Sequence, residues 1–262
     1  MNMIKAATAS DYDALYKDGY RQQLSGCEYA RLAALKHFLS KVCRVNRDCD
    51  VLDYGAGAGL HLPLWEELFA PERIFYCDIS ETAASVFAQH FHERKTHYRM
   101  IRNGMADYSD ESMDYVISVE VMEHVQDLDC YLRDIFRILR PGGTFVWTTP
   151  CGNRFSVEHM WSMIRGQIES TPEGYRRWTW EDPTHVRRIR TTEAADRVCS
   201  IGFESPIFRM RSHLFSFLAT YTPPMYRFAA FREWLMQGDY SMFRMLPNGA
   251  SMLAAAKKPQ SD

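Results

Sequence analysis

Three glycines fall at alternate positions in "VLDYGAGAGLHLPLW", residues 51–65, directly behind a short apolar run that holds an aspartate. Glycine costs backbone entropy on folding, so such a cluster marks a sharp bend where something must approach the main chain closely. An apolar run, a glycine turn and a following helix open a βαβ unit, and at the carboxyl edge of a parallel sheet such turns bind ligands. The spacing is G-x-G-x-G, with Leu60 where a dinucleotide-binding turn has its third glycine. No Gly-Lys-Ser/Thr follows, which excludes a phosphate-binding P-loop.

The same alternation continues from residue 27 to 150. "DVLDY", "RIFYCD", "MDYVISV" and "GTFVWTT" read as strands between segments of helical period. Leu128, Tyr131, Leu132, Ile135, Phe136 and Leu139 share one helix face, and "RPGG" at 140–143 stops that helix. Residues 151–190 show little periodicity and hold two close tryptophans and many arginines in "YRRWTWEDPTHVRRIR". Long irregular insertions are often functional, so this stretch reads as a lid or substrate loop. A helix from about Thr192 to Ile201, ended by Gly202, precedes a strand in "FESPIFRMRSH". Residues 214–246 form a second insertion, rich in Phe, Tyr, Met and Pro, before a last strand, "ASMLAAAKK". The expected organisation is one domain over 1–262: a helical cap at 1–45, a ligand-binding half at 46–150, the lid at 151–190 and the insertion at 214–246.

At 46% hydrophobic, 262 residues carry ample material for a core. A net charge of -2 supplies no overall basic field, so nucleic acid is not the expected partner. The seven cysteines are scattered and never spaced CxxC, which argues against a disulfide framework or a cysteine zinc site and fits a reducing cytoplasm. Nowhere do 18 uncharged apolar residues run together, so no transmembrane segment is expected.

A second strand ends at Asp78, 19 residues after Gly59. A carboxylate there can accept both hydroxyls of a ribose, which points to an adenosyl group. Asp53, ahead of the glycines, makes the surroundings negative and favours a sulfonium or amine over a phosphate. "VLDYGAGAG", "FYCDIS", "MDYVISVEVMEHV", "LRDIFRILRPGGTFVWTTP" and "DPTHVRRIRTTEAADRVCSIGFE" together resemble the successive motifs of class I S-adenosylmethionine-dependent methyltransferases, over roughly residues 30–210. The resemblance implies an α/β, Rossmann-like, seven-stranded and mostly parallel sheet flanked by helices. It implies that Asp53, Gly55, Gly57 and Gly59 surround the methionine part of S-adenosylmethionine, that Asp78 holds the ribose, and that Ile79 lies against the adenine. Many relatives carry an acidic residue after the third strand, whereas this chain has "RNGMADYSDESMD". Gly104 and Met105 are expected to line the adenine, with Asp107 as runner-up.

Methyl transfer needs alignment of nucleophile, carbon and sulfur, and a base where the nucleophile is a hydroxyl. A helical turn after "YVISV" would put Glu120, Glu123 and His124 of "EVMEH" on one face. With His185 they could bind Mg or Mn, a pattern similar to small-RNA 2'-O-methyltransferases and shared in part with quinone-pathway O-methyltransferases. Without a metal, His124 or His185 is the candidate general base. The alternative is that Glu120 only touches the cofactor, Glu123 is solvated and His124 packs against a loop. Arg176, Arg177, Arg187, Arg188 and Arg190 read as an anion site or, more simply, as a solvated face paired with Glu173, Glu181 and Asp182. Trp161, Trp178, Trp180 and Tyr175 could stack on a substrate or close the core. Residues 217–236 could cover the acceptor, lie on a membrane surface or form a homodimer contact. The leading expectation is O-methylation of a small-molecule acceptor; the others are a metal-dependent RNA 2'-O-methyltransferase and a non-catalytic scaffold that keeps the fold.

Overall fold

The computed structural model describes residues 7–19, 26–171, 174–222 and 228–260. Strands β1 (Val51–Tyr54), β2 (Ile74–Asp78), β3 (Tyr98–Arg102), β5 (Met113–Val119) and β6 (Leu139–Pro150) run parallel, in the order β3-β2-β1-β5-β6. All four residues of β1 are buried, as expected of a strand covered on both faces. Beyond β6 lie β10 (Ser251–Lys257), antiparallel to its neighbours, and β9 (Ile207–Arg211) at the edge. These seven are the expected sheet. An eighth strand, β4 (Met105–Ala106), corrects the count: it folds back on β3 through the two-residue turn Asn103-Gly104, both with positive φ. Asn-Gly is the pair that such a hairpin turn selects.

One face of the sheet is covered by α5 (Leu128–Ile138) and α7 (Thr191–Ile201). The other carries α2 (Gly26–Phe38), α3 (Leu62–Leu68), α4 (Glu81–His90) and α9 (Ala229–Phe243). The face read from the sequence does bury Leu128, Tyr131, Leu132, Ile135 and Ile138 of α5, and the Asp127 side chain caps the helix by accepting from Cys130 N at 2.9 Å. The 151–190 stretch is more regular than its sequence suggests. It holds α6 (Val157–Ile164) and a hairpin of β7 (Ile168–Ser170) with β8 (Arg176–Trp178). The 214–246 insertion contains α8 (Leu214–Tyr221), packed on α9. No helix among the described residues is long and apolar enough to cross a membrane.

The N-terminal α1 (Ala9–Lys17) begins in a capping box between Thr8 and Asp11. Its Asp13 accepts from Ser80 Oγ at 2.6 Å and from Thr82 N at 2.8 Å, which fastens α1 across the start of α4. That contact sets α1 over the carboxyl edge of β1 and β2, where the glycine turn lies.

Candidate active site

A cavity of about 980 Å³ opens at that edge. Tyr54, Gly55, Ala56, Gly57 and Ala58 form its floor, with Thr8, Tyr12 and Tyr16 of the N-terminal segment across from them. Gly55, Gly57 and Gly59 all have positive φ. At Gly59, φ is +85° and a Cβ would stand 2.7 Å from Phe87 Cδ2, so both backbone and space require glycine there. Gly59 thus faces the α4 aromatics and does not line the cavity, whereas Gly55 and Gly57 do.

Asp78 ties the turn to the next helix. Its Oδ2 accepts from Gly57 N and its Oδ1 from Ser80 N, each at 2.9 Å. Burial raises the Asp78 pKa, and the amides of Ser80, Gly57 and Ile79 oppose that rise. Each carboxylate oxygen has a second lone pair, so both can still accept ribose hydroxyls. Ile79, Ile101, Asn103 and Gly104 line the adjoining wall. Met105 is half exposed and Asp107 lines a separate groove, so of the residues expected at the adenine only Ile79 and Gly104 face the cavity. Asn103, Ile101 and Tyr12 were missed by sequence reasoning; the Asn-Gly turn was a readable signal for the first.

Asp53 lies beneath the cavity, fully buried, and is absent from its lining. Trp65 Nε1 donates to its Oδ2 at 2.6 Å, and its Oδ1 has no hydrogen-bond partner among the described residues. Burial pushes its pKa up to about 7, with nearby Asp78 adding to the rise and the Trp65 bond opposing it. The folded-state pKa therefore lies above the unfolded one, so ionisation destabilises the fold as pH rises from about 4 through 7. Asp53→Asn stays neutral throughout. Its Tm relative to wild type, without cofactor, is expected to rise between pH 5 and pH 8 by the equivalent of about 2 kcal/mol; a flat difference would contradict the assignment.

After β5 the chain makes no helical turn. Glu120 takes a left-handed φ of 55°, a strained conformation for a non-glycine residue, and the segment 121–127 follows as turns. Glu120 consequently separates from the other two acidic and basic candidates. Its Oε1 accepts from Thr148 Oγ1 at 2.9 Å and its Oε2 pairs with Arg31 at 3.3 Å, while it lines the cavity. Glu123, His124 and His185 do converge, each offering a ligand atom within 4.8 Å of the others. Glu123 is fully buried and accepts from Thr149 Oγ1 at 3.0 Å, so it is not a solvated carboxylate.

The two imidazoles meet edge to face at 4.7 Å. Thr184 Oγ1 donates to Asp182 at 2.6 Å and lies 3.0 Å from His124 Nδ1, so that nitrogen carries the proton and Nε2 the lone pair. His185 Nδ1 donates to Glu181 at 2.8 Å, and its buried Nε2 has no hydrogen-bond partner among the described residues. Burial alone would lower the His185 pKa, but the Glu181 bond and the Glu123 charge outweigh it and raise it.

The arginines do not share one face: Arg177, Arg187 and Arg188 are buried, whereas Arg190 is exposed. Arg187, buried, donates to the carbonyls of Met122, Val125 and Gln126, and so holds the turn that carries Glu123 and His124. Arg188, also buried, bridges Glu158 of α6 and Glu181. Arg177 donates to His185 O at 3.1 Å. Arg176 donates to Gly152 O at 3.0 Å, and Arg190 caps α7 with Glu193. Glu173 lies outside the described residues. Trp178 is buried, whereas Trp161 and Trp180 are exposed.

Residues 52–147 match the family described as "Methyltransferase domain". The chain is 29% identical over 159 residues to a protein of Mycolicibacterium smegmatis named "Probable S-adenosylmethionine-dependent methyltransferase", covering 59% of this chain and 52% of that one. It is 32% identical over 102 residues to the ubiquinone biosynthesis O-methyltransferase of Rhodopseudomonas palustris, covering 38% and 39%. It thus spans about half or less of the length of these curated relatives. Among solved structures, a methyltransferase in complex with the Haloferax volcanii Trm112 activator superposes with a TM-score of 0.62 at 20% identity, over 95% of this chain and 98% of that one. The [4+2]-cyclase SpnF superposes with a TM-score of 0.61 at 16% identity, over 99% and 100%. At these identities the structural likeness speaks for the fold, and the cyclase illustrates that the fold does not name the reaction.

Proposed function

We propose that this chain, which carries a class I S-adenosylmethionine-dependent methyltransferase domain, moves the methyl group of S-adenosylmethionine to an oxygen of a small-molecule acceptor. The observation that carries this reading is the convergence of Glu123, His124 and His185 beside the cavity, which His124 lines. In this reading Asp78 holds the ribose, Gly55 and Gly57 let the backbone approach the methionine part, and Ile79, Ile101, Asn103 and Gly104 enclose the adenine. Glu120, Asp78 and, from beneath, Asp53 make the surroundings negative, which suits a sulfonium.

The acceptor oxygen attacks the methyl carbon in line with sulfur, the carbon–sulfur bond breaks, and its electron pair stays on sulfur to give S-adenosylhomocysteine. The hydroxyl proton passes to His124 Nε2, and His185, which does not line the cavity, acts through its contact with that ring. Asp182, through Thr184, and Glu181 hold the two rings in the tautomers this needs. Glu123, His124 and His185 also offer one oxygen and two nitrogens, a donor set suited to a divalent cation such as Mg or Mn. The buried His185 Nε2, without a hydrogen-bond partner among the described residues, fits that role. Such an ion would lower the pKa of the acceptor hydroxyl.

The test is transfer of a radiolabelled methyl group from S-adenosylmethionine to a panel of phenols, hydroxy acids and sugars, with matched amines and a short RNA alongside. Label on hydroxyl compounds is expected, with S-adenosylhomocysteine released in equal amount. Label confined to amines or to RNA ends would overturn the acceptor assignment, and failure of calorimetry to detect cofactor binding would return the chain to a non-catalytic role.

A further inference from the structure

The outer faces of α6 and α8 form one apolar surface. Phe155 and Ile164 are 70% and 79% exposed, and Trp161, Met163, Leu218 and Tyr221 stand out between them. The two faces adjoin: Trp161 contacts Phe217 of α8 with ring centroids 5.8 Å apart, and Trp180 contacts Tyr221 at 5.9 Å. Single exposed apolar residues are ordinary, but a contiguous aromatic and aliphatic patch marks a surface that meets something.

Along α6, α8 and the residues that flank them, the exposed charges are of one sign. Arg154 and Arg165 are exposed at the two ends of α6, with the Arg165 guanidinium 4.2 Å above the Trp161 ring. The only carboxylate in residues 154–167 is Glu158, which turns inward to Arg188 at 3.0 Å, and residues 213–222 contain no acidic residue at all. Two copies of this face laid together would set arginine against arginine with no carboxylate to meet them. Charge complementarity instead selects an anionic occupant that also accepts inserted Trp, Ile and Phe side chains.

We propose that this face docks on the surface of a bilayer containing anionic phospholipid, with the α6 apolar residues entering the headgroup boundary and Arg154 and Arg165 meeting phosphates. The inner side of the same helix holds Glu158, and through Arg188 and Glu181 it connects to His185. The surface itself stands independently of the methyl-transfer reading, so vesicle binding and cofactor binding are separate measurements.

Flotation with vesicles of phosphatidylcholine, alone or mixed with phosphatidylglycerol, tests it. Wild type is expected to float with the mixed vesicles, to lose that binding as salt rises, and to show a blue shift of tryptophan emission. Ile164→Asp and, separately, the pair Arg154→Glu and Arg165→Glu are expected to reduce partition by roughly tenfold or more, with Tm unchanged. Ile207→Asp, at an exposed apolar position on the edge strand β9, should float like wild type. Absence of flotation with mixed vesicles, or patch variants that float like wild type, would overturn the proposal. So would a dimer in sedimentation that Ile164→Asp dissociates, because it would put a second copy on this face.

Discussion

Asp78→Ala is expected to raise the Kd for S-adenosylmethionine by about a hundredfold to ten-thousandfold. Two charge-assisted bonds to ribose hydroxyls are each worth about 1.5–3 kcal/mol, and alanine removes both. It also strips the acceptors from Gly57 N and Ser80 N, which hold the glycine turn against the start of α4. Loss of binding could therefore report a collapsed turn, so Tm is read alongside Kd. Asp78→Asn keeps the shape and one acceptor oxygen but sets its amide nitrogen against either Gly57 N or Ser80 N, so its Kd should rise less and its Tm fall less than those of Asp78→Ala. Calorimetry on both variants, with Tm alongside, decides. An Asp78→Ala Kd within about threefold of wild type would remove the ribose from Asp78 and, with it, the strongest link between the cavity and a nucleoside.

The frame of the site was legible because its requirements are local. A bend that lets a ligand reach the backbone needs glycine at the bend, and a ribose needs a carboxylate at the end of the neighbouring strand; both signals sit within residues 53–78. The periodicity of α5 was legible for the same reason, since burial of one helix face is written into spacing. What escaped notice depends on residues far apart in the chain. Glu120 leaves its neighbours because its left-handed φ is stabilised by Thr148 and Arg31, so a spacing of three and four residues meant nothing there. Arg187 and Arg188 looked like surface residues because arginine usually is. Their burial rests on carbonyls more than 60 residues upstream for the first and on Glu158 and Glu181 for the second. The docking of α1 through Asp13 and Ser80, 67 positions apart, was equally hidden, which is why Tyr12 and Tyr16 were not named. Asn103 differs: its Asn-Gly turn was present in the sequence and was overlooked.

The largest effect on turnover is expected at the pair of histidines. His185 does not line the cavity, so His185→Ala should leave the cofactor Kd within about twofold of wild type while kcat, with the acceptor found by the methyl-transfer screen, falls by about two to four orders of magnitude. His124→Ala should lower kcat comparably. The double variant should be little worse than either alone, because the two rings, 4.7 Å apart, act on one proton or one ion. Chelation distinguishes these two chemistries. If Glu123, His124 and His185 hold a cation, a chelator reduces wild-type kcat and added Mg or Mn restores it, and Glu123→Gln loses activity to the same degree. If the imidazoles act as bases alone, the chelator has no effect and Glu123→Gln keeps most of the rate, since its carbonyl oxygen can still accept from Thr149. Either result keeps the chemistry at this cluster. Single variants that each retain kcat within about threefold would move it elsewhere, and the convergence of two orienting carboxylates on two buried rings would then have only a packing role.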